Sequence, residues 1–242
     1  MISLGCAKNL VDSEVMLGEL ARRGHEIVQD LDGAETVIVN TCGFIEEAKQ
    51  ESIDAILEVV ARKGEGGVKR VLVAGCMVNR FGDELRREIP EIDGFVGLDQ
   101  LREVADVVQL GGGPPLPAPS HAVFDHTAPR LLTTRGFAYL KVAEGCNNPC
   151  TFCAIPIWRG RFRSRTIESL VLEAKALEAQ GISELNLIAQ DTTRYGEDLG
   201  DPRLRRHGLA RLVEALLAET NIPWIRFLYA YPTTLDEELL RL

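Results

Sequence analysis

The chain has 242 residues, 45% hydrophobic and 26% charged, which is enough apolar mass for one large domain or two ordinary ones. Residues 1–120 hold 12 Lys and Arg against 21 Asp and Glu and so account for the net charge of −9, while residues 121–242 balance at 15 against 15. An acidic first half reads first as a solvated surface kept for solubility, and beyond that argues against sequence-specific nucleic-acid binding and for a basic partner; no apolar run approaches the roughly 20 residues of a membrane span.

The five residues before Cys6 are too few for a charged leader and an apolar segment, so the chain is read as cytoplasmic. Thiols stay reduced there, and the six cysteines are expected to act as metal ligands rather than as disulfides.

Residues 1–110 alternate short β-rich runs with amphipathic helical patterns. Ile2-Ser3-Leu4 is the stub of a strand. Asn9 to Arg23 reads as a helix, with Val11, Val15, Leu17 and Leu20 interleaved with charge and Gly24 as its stop. Thr36 to Asn40 predicts a buried strand. Phe44 to Lys63 predicts a long helix with Ile45, Ala48, Ile53, Ile56, Leu57 and Val60 on its inner face. Arg70 to Ala74 is the next strand and Arg80 to Glu88 the next helix. A short strand at Phe95-Val96 and a helix from Asp99 to Val108 close the unit. This βαβα order demands a parallel sheet with right-handed crossovers, so the expected fold is a three-layer α/β domain.

Cys6, Cys42 and Cys76 each lie just past a strand, 36 and 34 residues apart, about one βα repeat each. In a parallel sheet the carboxyl ends of the strands share one edge, where open α/β sheets bind ligands, so the three cysteines should converge there. Each neighbours a glycine (Gly5, Gly43, Gly75), which lets backbone approach an inorganic cluster closely. Any one of them alone reads as a small buried hydrophobe. Three at equivalent positions point to a metal site.

Residues 111–119 hold eight Gly, Pro or Ala in nine and read as a joint, placing a linker at 111–120 and a second domain at 121–242. Residues 120–135 read as irregular structure or a short hairpin. Phe137 to Ala143 predicts a strand feeding the loop Glu144-Gly145-Cys146-Asn147-Asn148-Pro149-Cys150-Thr151-Phe152-Cys153. That loop is Cys-x3-Cys-x2-Cys. Zinc would want a fourth ligand and paired knuckles, and neither a second pair nor a His-x3-His follows. Three thiolates suit a 4Fe–4S cluster with one iron left open. Beyond it Arg159, Arg161, Arg163 and Arg165 alternate; they read by default as a solvated basic segment, but in an extended chain they would share one side next to the cluster, where at least one would bind a ligand carboxylate, the substrate or an acidic neighbour.

Thr166 is the expected N-cap of a helix with Leu170, Val171 or Leu172, Ala174 and Leu177 inward, ended by Gly181. Ser183 to Ala189 is a strand, followed by the polar loop Gln190-Asp191-Thr192-Thr193-Arg194-Tyr195-Gly196. A helix from Leu209 to Ala218, a strand from Pro223 to Tyr229 and a helix begun at Leu235 complete three βα units. A closed barrel needs more, and a sheet ending here would leave a bare apolar edge, so the chain is read as a fragment.

The Cys-x3-Cys-x2-Cys loop, with Ala138-Tyr139-Leu140-Lys141-Val142 before it and Ala154-Ile155-Pro156-Ile157-Trp158-Arg159-Gly160-Arg161 after it, resembles the radical S-adenosylmethionine (SAM) methylthiotransferases. Ser3 to Glu14 and Asn40-Thr41-Cys42-Gly43-Phe44-Ile45 match the same family at the other cysteine turns. The resemblance implies the first half of a radical SAM (βα) partial barrel in residues 121–242, with the later strands and a small carboxyl-terminal β-domain absent.

It further implies two 4Fe–4S clusters, an auxiliary one on Cys6, Cys42 and Cys76 and a radical SAM one on Cys146, Cys150 and Cys153. SAM would bind near Phe152, Ile155 and Gln190. One SAM would methylate a sulfur, a second would yield a 5′-deoxyadenosyl radical, and a methylthio group would enter a C–H bond. A one-electron reductant and a sulfur donor are the implied partners.

Leu187-Ile188-Ala189-Gln190-Asp191-Thr192-Thr193-Arg194-Tyr195-Gly196 resembles most the protein-modifying branch, which acts on an aspartate β-carbon of the twelfth protein of the small ribosomal subunit. A transfer-RNA adenosine methylthiotransferase is the near alternative. A non-catalytic iron–sulfur carrier or scaffold is the remote one.

Overall fold

The computed structural model describes residues 1–65, 67–110, 123–235 and 237–242. The linker expected at 111–120 lies outside them. The described residues form two compact units, 1–110 with 128–131, and 123–127 with 132–242.

In the first unit, strands β1 (Ile2–Ser3), β2 (Thr36–Thr41), β3 (Arg70–Gly75) and β4 (Gly94–Val96) pair in that order, all parallel. Side chains alternate across a sheet, and here the alternation sorts the helices. Val37, Val39, Val71 and Val73 join one cluster with Ile56 and Val59 of α2 (Glu46–Gly64) and Met77, Val78 and Leu85 of α3 (Cys76–Glu88). Ile38 and Leu72, of opposite parity, are also buried, and α1 (Ala7–Arg22) packs on β1, β2 and α4 (Val104–Leu110). The sheet is therefore covered on both faces.

Three details differ from the sequence-based reading. On α2 the expected Ile53, Ile56 and Val60 do pack on the core, joined by Ser52 and Val59, whereas Leu57 and Ile45 are exposed. Helix α3 begins at Cys76 rather than Arg80, because Gly75 turns the chain straight from strand to helix. Phe81, at φ −131°, interrupts the helix, so only its second part shows helical periodicity. The closing helix is a 3₁₀ turn, Leu101–Glu103, running into α4.

The second unit has a parallel sheet of β5 (Phe137–Lys141), β8 (Glu184–Ile188) and β9 (Trp224–Phe227), in the order β5-β8-β9. The expected strand at 137–143 divides at Val142. Beyond it β6 (Ala143–Glu144) pairs antiparallel with β7 (Arg163–Ser164), folding the cysteine loop between them into a hairpin-like excursion that includes the single turn α5 (Ile155–Trp158). Helix α6 (Ile167–Glu178) starts where Thr166 Oγ1 accepts from Ser169 N at 3.3 Å, and it buries Val171 while Leu172 stays half exposed.

Helix α7 (Pro202–Glu219) starts earlier than expected. Asp201 caps it, and the irregular His207 separates its first turn from the apolar stretch. Helix α8 spans Glu237–Leu240. Leu140, Leu170, Leu185, Leu187, Leu212 and Leu216 anchor this core. Among the described residues no helix is long and apolar enough to cross a membrane.

Candidate functional site

Both sheets present cysteines at the carboxyl ends of their strands. In the first unit Cys6 is the N-cap of α1, Cys42 follows β2 and Cys76 opens α3. The register sets Ser3 beside Asn40 and Thr41 beside Gly75, so the three turns share one edge. A Cβ on Gly5 would stand 2.8 Å from Cys42 Cβ and 3.2 Å from Cys42 Sγ, and one on Gly43 would stand 3.4 Å from the Cys76 carbonyl carbon. Cys42 is fixed further by Ser52, whose Oγ accepts from Cys42 N at 3.0 Å. Two of the three thiols thus sit at helix N-termini, whose N–H dipoles favour anionic ligands.

In the second unit Cys146, Cys150 and Cys153 are half-buried free thiols on one loop. Cys146 N donates to Gly160 O (3.1 Å), Cys153 N to Cys150 O (3.1 Å) and Asn148 N to Cys146 Sγ (3.4 Å). Asn147 Oδ1 accepts from Phe162 N at 3.0 Å, closing the loop against its return strand. Asn148 is gripped at both ends of its amide. Its Nδ2 donates to Asp191 Oδ2 (2.8 Å), and its Oδ1 accepts from Arg194 Nη1 (2.8 Å). Thr193 Oγ1 holds the other carboxylate oxygen of Asp191 at 2.6 Å. The polar loop after β8 therefore orients the cysteine loop after β5.

Burial pushes the Cys146 thiol above its ordinary range. The Asn148 N–H opposes this, while Asp191, Cys153 and Cys150 add to it. A metal held through this sulfur would have to displace that proton, as thiolate ligation requires.

Four arginines were expected on one side of an extended segment. Instead Arg159 follows the α5 turn and is buried against Glu144 at 2.9 Å, and Arg165 is buried against Glu173 at 2.6 Å. Two of the four thus meet acidic neighbours and serve the scaffold. Arg161 is exposed and Arg163 lies in β7. Phe152 is 85% exposed on the cysteine loop, Ile155 opens α5, and Gln190 follows β8 by two residues. Glu144, Asn148 and Asp191 did not stand out in the sequence, although each lies in a stretch that did.

Among the described residues no group of three or more His, Cys, Asp or Glu stands in metal-holding geometry. The corners of an iron–sulfur cube lie farther apart than the ligands of one ion, and a set of thiols with close backbone suits the cube. Each trio offers that donor set, so the residues present fit the group. A cavity of about 400 Å³, beside Ile2, Leu17, His25 and Val108, is lined by none of the six cysteines.

Residues 1–97 match the uncharacterized protein family UPF0004, and residues 140–242 match the radical SAM superfamily. Over 99% of its length the chain is 51% identical to the ribosomal protein uS12 methylthiotransferase RimO of Solibacter usitatus, covering 51% of that protein. Over its whole length it is 47% identical to the RimO of Geobacter sulfurreducens, covering 54% of it. The chain spans about half the length of the curated relatives it matches. A radical SAM methyltransferase, TsrM of Kitasatospora setae, solved with cobalamin and a 4Fe–4S cluster, superposes on 98% of the chain with a TM-score of 0.60 at 17% identity; 56% of that protein is covered. That likeness concerns the fold.

Proposed function

The chain belongs to the RimO-type radical SAM methylthiotransferases, and on that premise we propose that it is the cluster-bearing part of an enzyme that adds a methylthio group to an aspartate β-carbon of ribosomal protein uS12. The observation that carries this reading is the sorting of six thiols into two trios, each at the carboxyl edge of a parallel sheet.

In the proposal Cys146, Cys150 and Cys153 hold a 4Fe–4S cluster, with SAM placed by Phe152, Ile155 and Gln190. Cys6, Cys42 and Cys76 hold a second. When bound, such a cluster with an open iron supplies one-electron and sulfur-binding chemistry to its ligand. The chain's own part is positional. Asp191 and Arg194 fix Asn148 and with it the cysteine loop, while Glu144 neutralises Lys141 and Arg159 behind it.

The acidic first unit suits a basic ribosomal protein, with a reductant and a sulfur donor as further partners. The transfer-RNA alternative is not favoured, since the curated relatives are named for uS12.

Deleting the gene is expected to remove the methylthio mark from the uS12 aspartate while transfer-RNA adenosines keep theirs, as read by mass spectrometry of both. An unmodified transfer RNA beside an intact uS12 mark sinks the proposal.

A further inference from the structure

We infer that Asn9 is a positioning residue that holds the turns of Cys6, Cys42 and Cys76 in register, an inference that rests on that trio being a cluster site. Its side chain is 1% exposed and reaches all three turns. Nδ2 donates to Leu4 O at 3.0 Å, two residues before Cys6, and to Thr41 O at 2.8 Å, one residue before Cys42. Oδ1 stands 3.6 Å from Cys76 Sγ. The Asn9 backbone carbonyl accepts from Asn40 Nδ2 at 2.8 Å, which ties the first turn of α1 to β2.

The sheet explains why such a tie is needed. Cys42 and Cys76 follow β2 and β3, which pair over six residues through Thr41 and Gly75. Cys6 follows β1, which pairs with β2 over two residues only. The turn of Cys6 is therefore the least fixed by strand pairing, and Asn9 joins it to the other two.

The chemistry asks for asparagine. A primary amide carries two N–H donors on one nitrogen, which can serve two carbonyls, and an acceptor in the same plane. Aspartate has the acceptor and neither donor. The Thr41 carbonyl is buried and the Leu4 carbonyl partly so, and a lost donor leaves the buried one short of a partner.

The test uses the chain with Cys146, Cys150 and Cys153 changed to alanine and reconstituted anaerobically, so that iron reports on the first trio. This parent is expected to hold about four iron atoms per chain. Asn9→Asp is expected to release them to a chelator about tenfold faster, the scale of lost outer-shell support at metal sites. Ser13→Ala is the control. It removes the Ser13–Ser3 hydroxyl contact at 2.8 Å and an acceptor of Asn40, loosening α1 on the sheet without touching a cysteine turn.

Release from Ser13→Ala at the parent's rate supports the positioning role. Equal acceleration in both variants overturns it, as does a parent-like rate in Asn9→Asp. Should Asn9→Asp fail to fold by circular dichroism, Asn9→Ser replaces it. That variant has one donor instead of two and is expected to release iron at an intermediate rate, and a parent-like rate again overturns the inference. A parent chain that takes up no iron overturns the cluster assignment itself, which separates that failure from failure of the role given to Asn9.

Discussion

Gly75→Ala is expected to destabilise the first unit by about 3 kcal/mol or more and to strip iron from the Cys6, Cys42 and Cys76 trio, leaving the Cys146, Cys150 and Cys153 trio loaded. Gly75 has φ +94° and ψ −158°, a region that side chains essentially never occupy. A Cβ there would stand 2.2 Å from Asn40 Oδ1 and 2.7 Å from Thr41 O. Neither atom gives way readily. Thr41 lies in β2, and Asn40 is wholly buried with its Nδ2 committed to Asn9 O and Ser13 Oγ. Relief must come from moving Gly75 itself, and Cys76 moves with it.

Gly24→Ala supplies the comparison. Its φ is +83° but nothing lies within 4 Å of the added carbon, so only the backbone cost of about 1 kcal/mol applies. Urea midpoints and iron analysis on both variants decide the matter. Equal midpoints and equal iron would mean that the crowded turn is not what places Cys76.

The trio in the first unit was legible because strand runs and cysteine spacing repeat together, and a parallel sheet converts that repeat into proximity. What surrounds it was less so. Along α1 the apolar residues read as interleaved with charge, yet Lys8, Asp12, Glu14 and Glu19 are buried with Asn9 and Ser13. Periodicity assumes one wet side, and α1 lacks one. Arg130 pairs with Glu14 from 116 residues away, Leu131 N donates to Glu14 O at 3.0 Å, and Arg102 meets Glu19 from 83 residues away. No local window contains such partners. Leu57 failed for a smaller reason, since it lies one residue or about 100° round the helix from Ile56, off the face that Ser52, Ile56 and Val59 share.

In the second unit the cysteine loop, the Thr166 cap and the βα order were all readable. The arginine alternation misled because it presumed an extended chain from residue 159, where the α5 turn had only just ended. Arg159 is the C-cap of that turn, and the carboxylate that takes it up lies 15 residues earlier, on the far side of the cysteine loop.

That carboxylate carries the second large effect. Glu144→Ala is expected to destabilise the second unit by about 3–5 kcal/mol, the range for breaking a buried ion pair and leaving its partners charged. Glu144 lies 2.8 Å from Lys141 Nζ and 2.9 Å from Arg159 Nη1, and all three side chains are at most 13% exposed. Burial by itself would raise the Glu144 carboxyl. The Arg159 guanidinium and then the Lys141 ammonium outweigh it and hold the group well below the usual carboxylate range.

Without Glu144 two buried cations lose the carboxylate that lies against both, and Gly145 N loses its acceptor at 3.1 Å, one residue before Cys146. Glu144→Gln keeps the shape and one acceptor and is expected to fall between the alanine variant and the parent. Thr166→Ala sets the scale of an ordinary local loss in the same unit, about 1 kcal/mol for a missing N-cap. Should Glu144→Ala unfold at the same urea concentration as Thr166→Ala, the three charges are not acting as the buried unit their distances describe. A clear separation, with iron lost from the Cys146 trio in the alanine variant alone, identifies Glu144 as the counter-charge on which that loop is built.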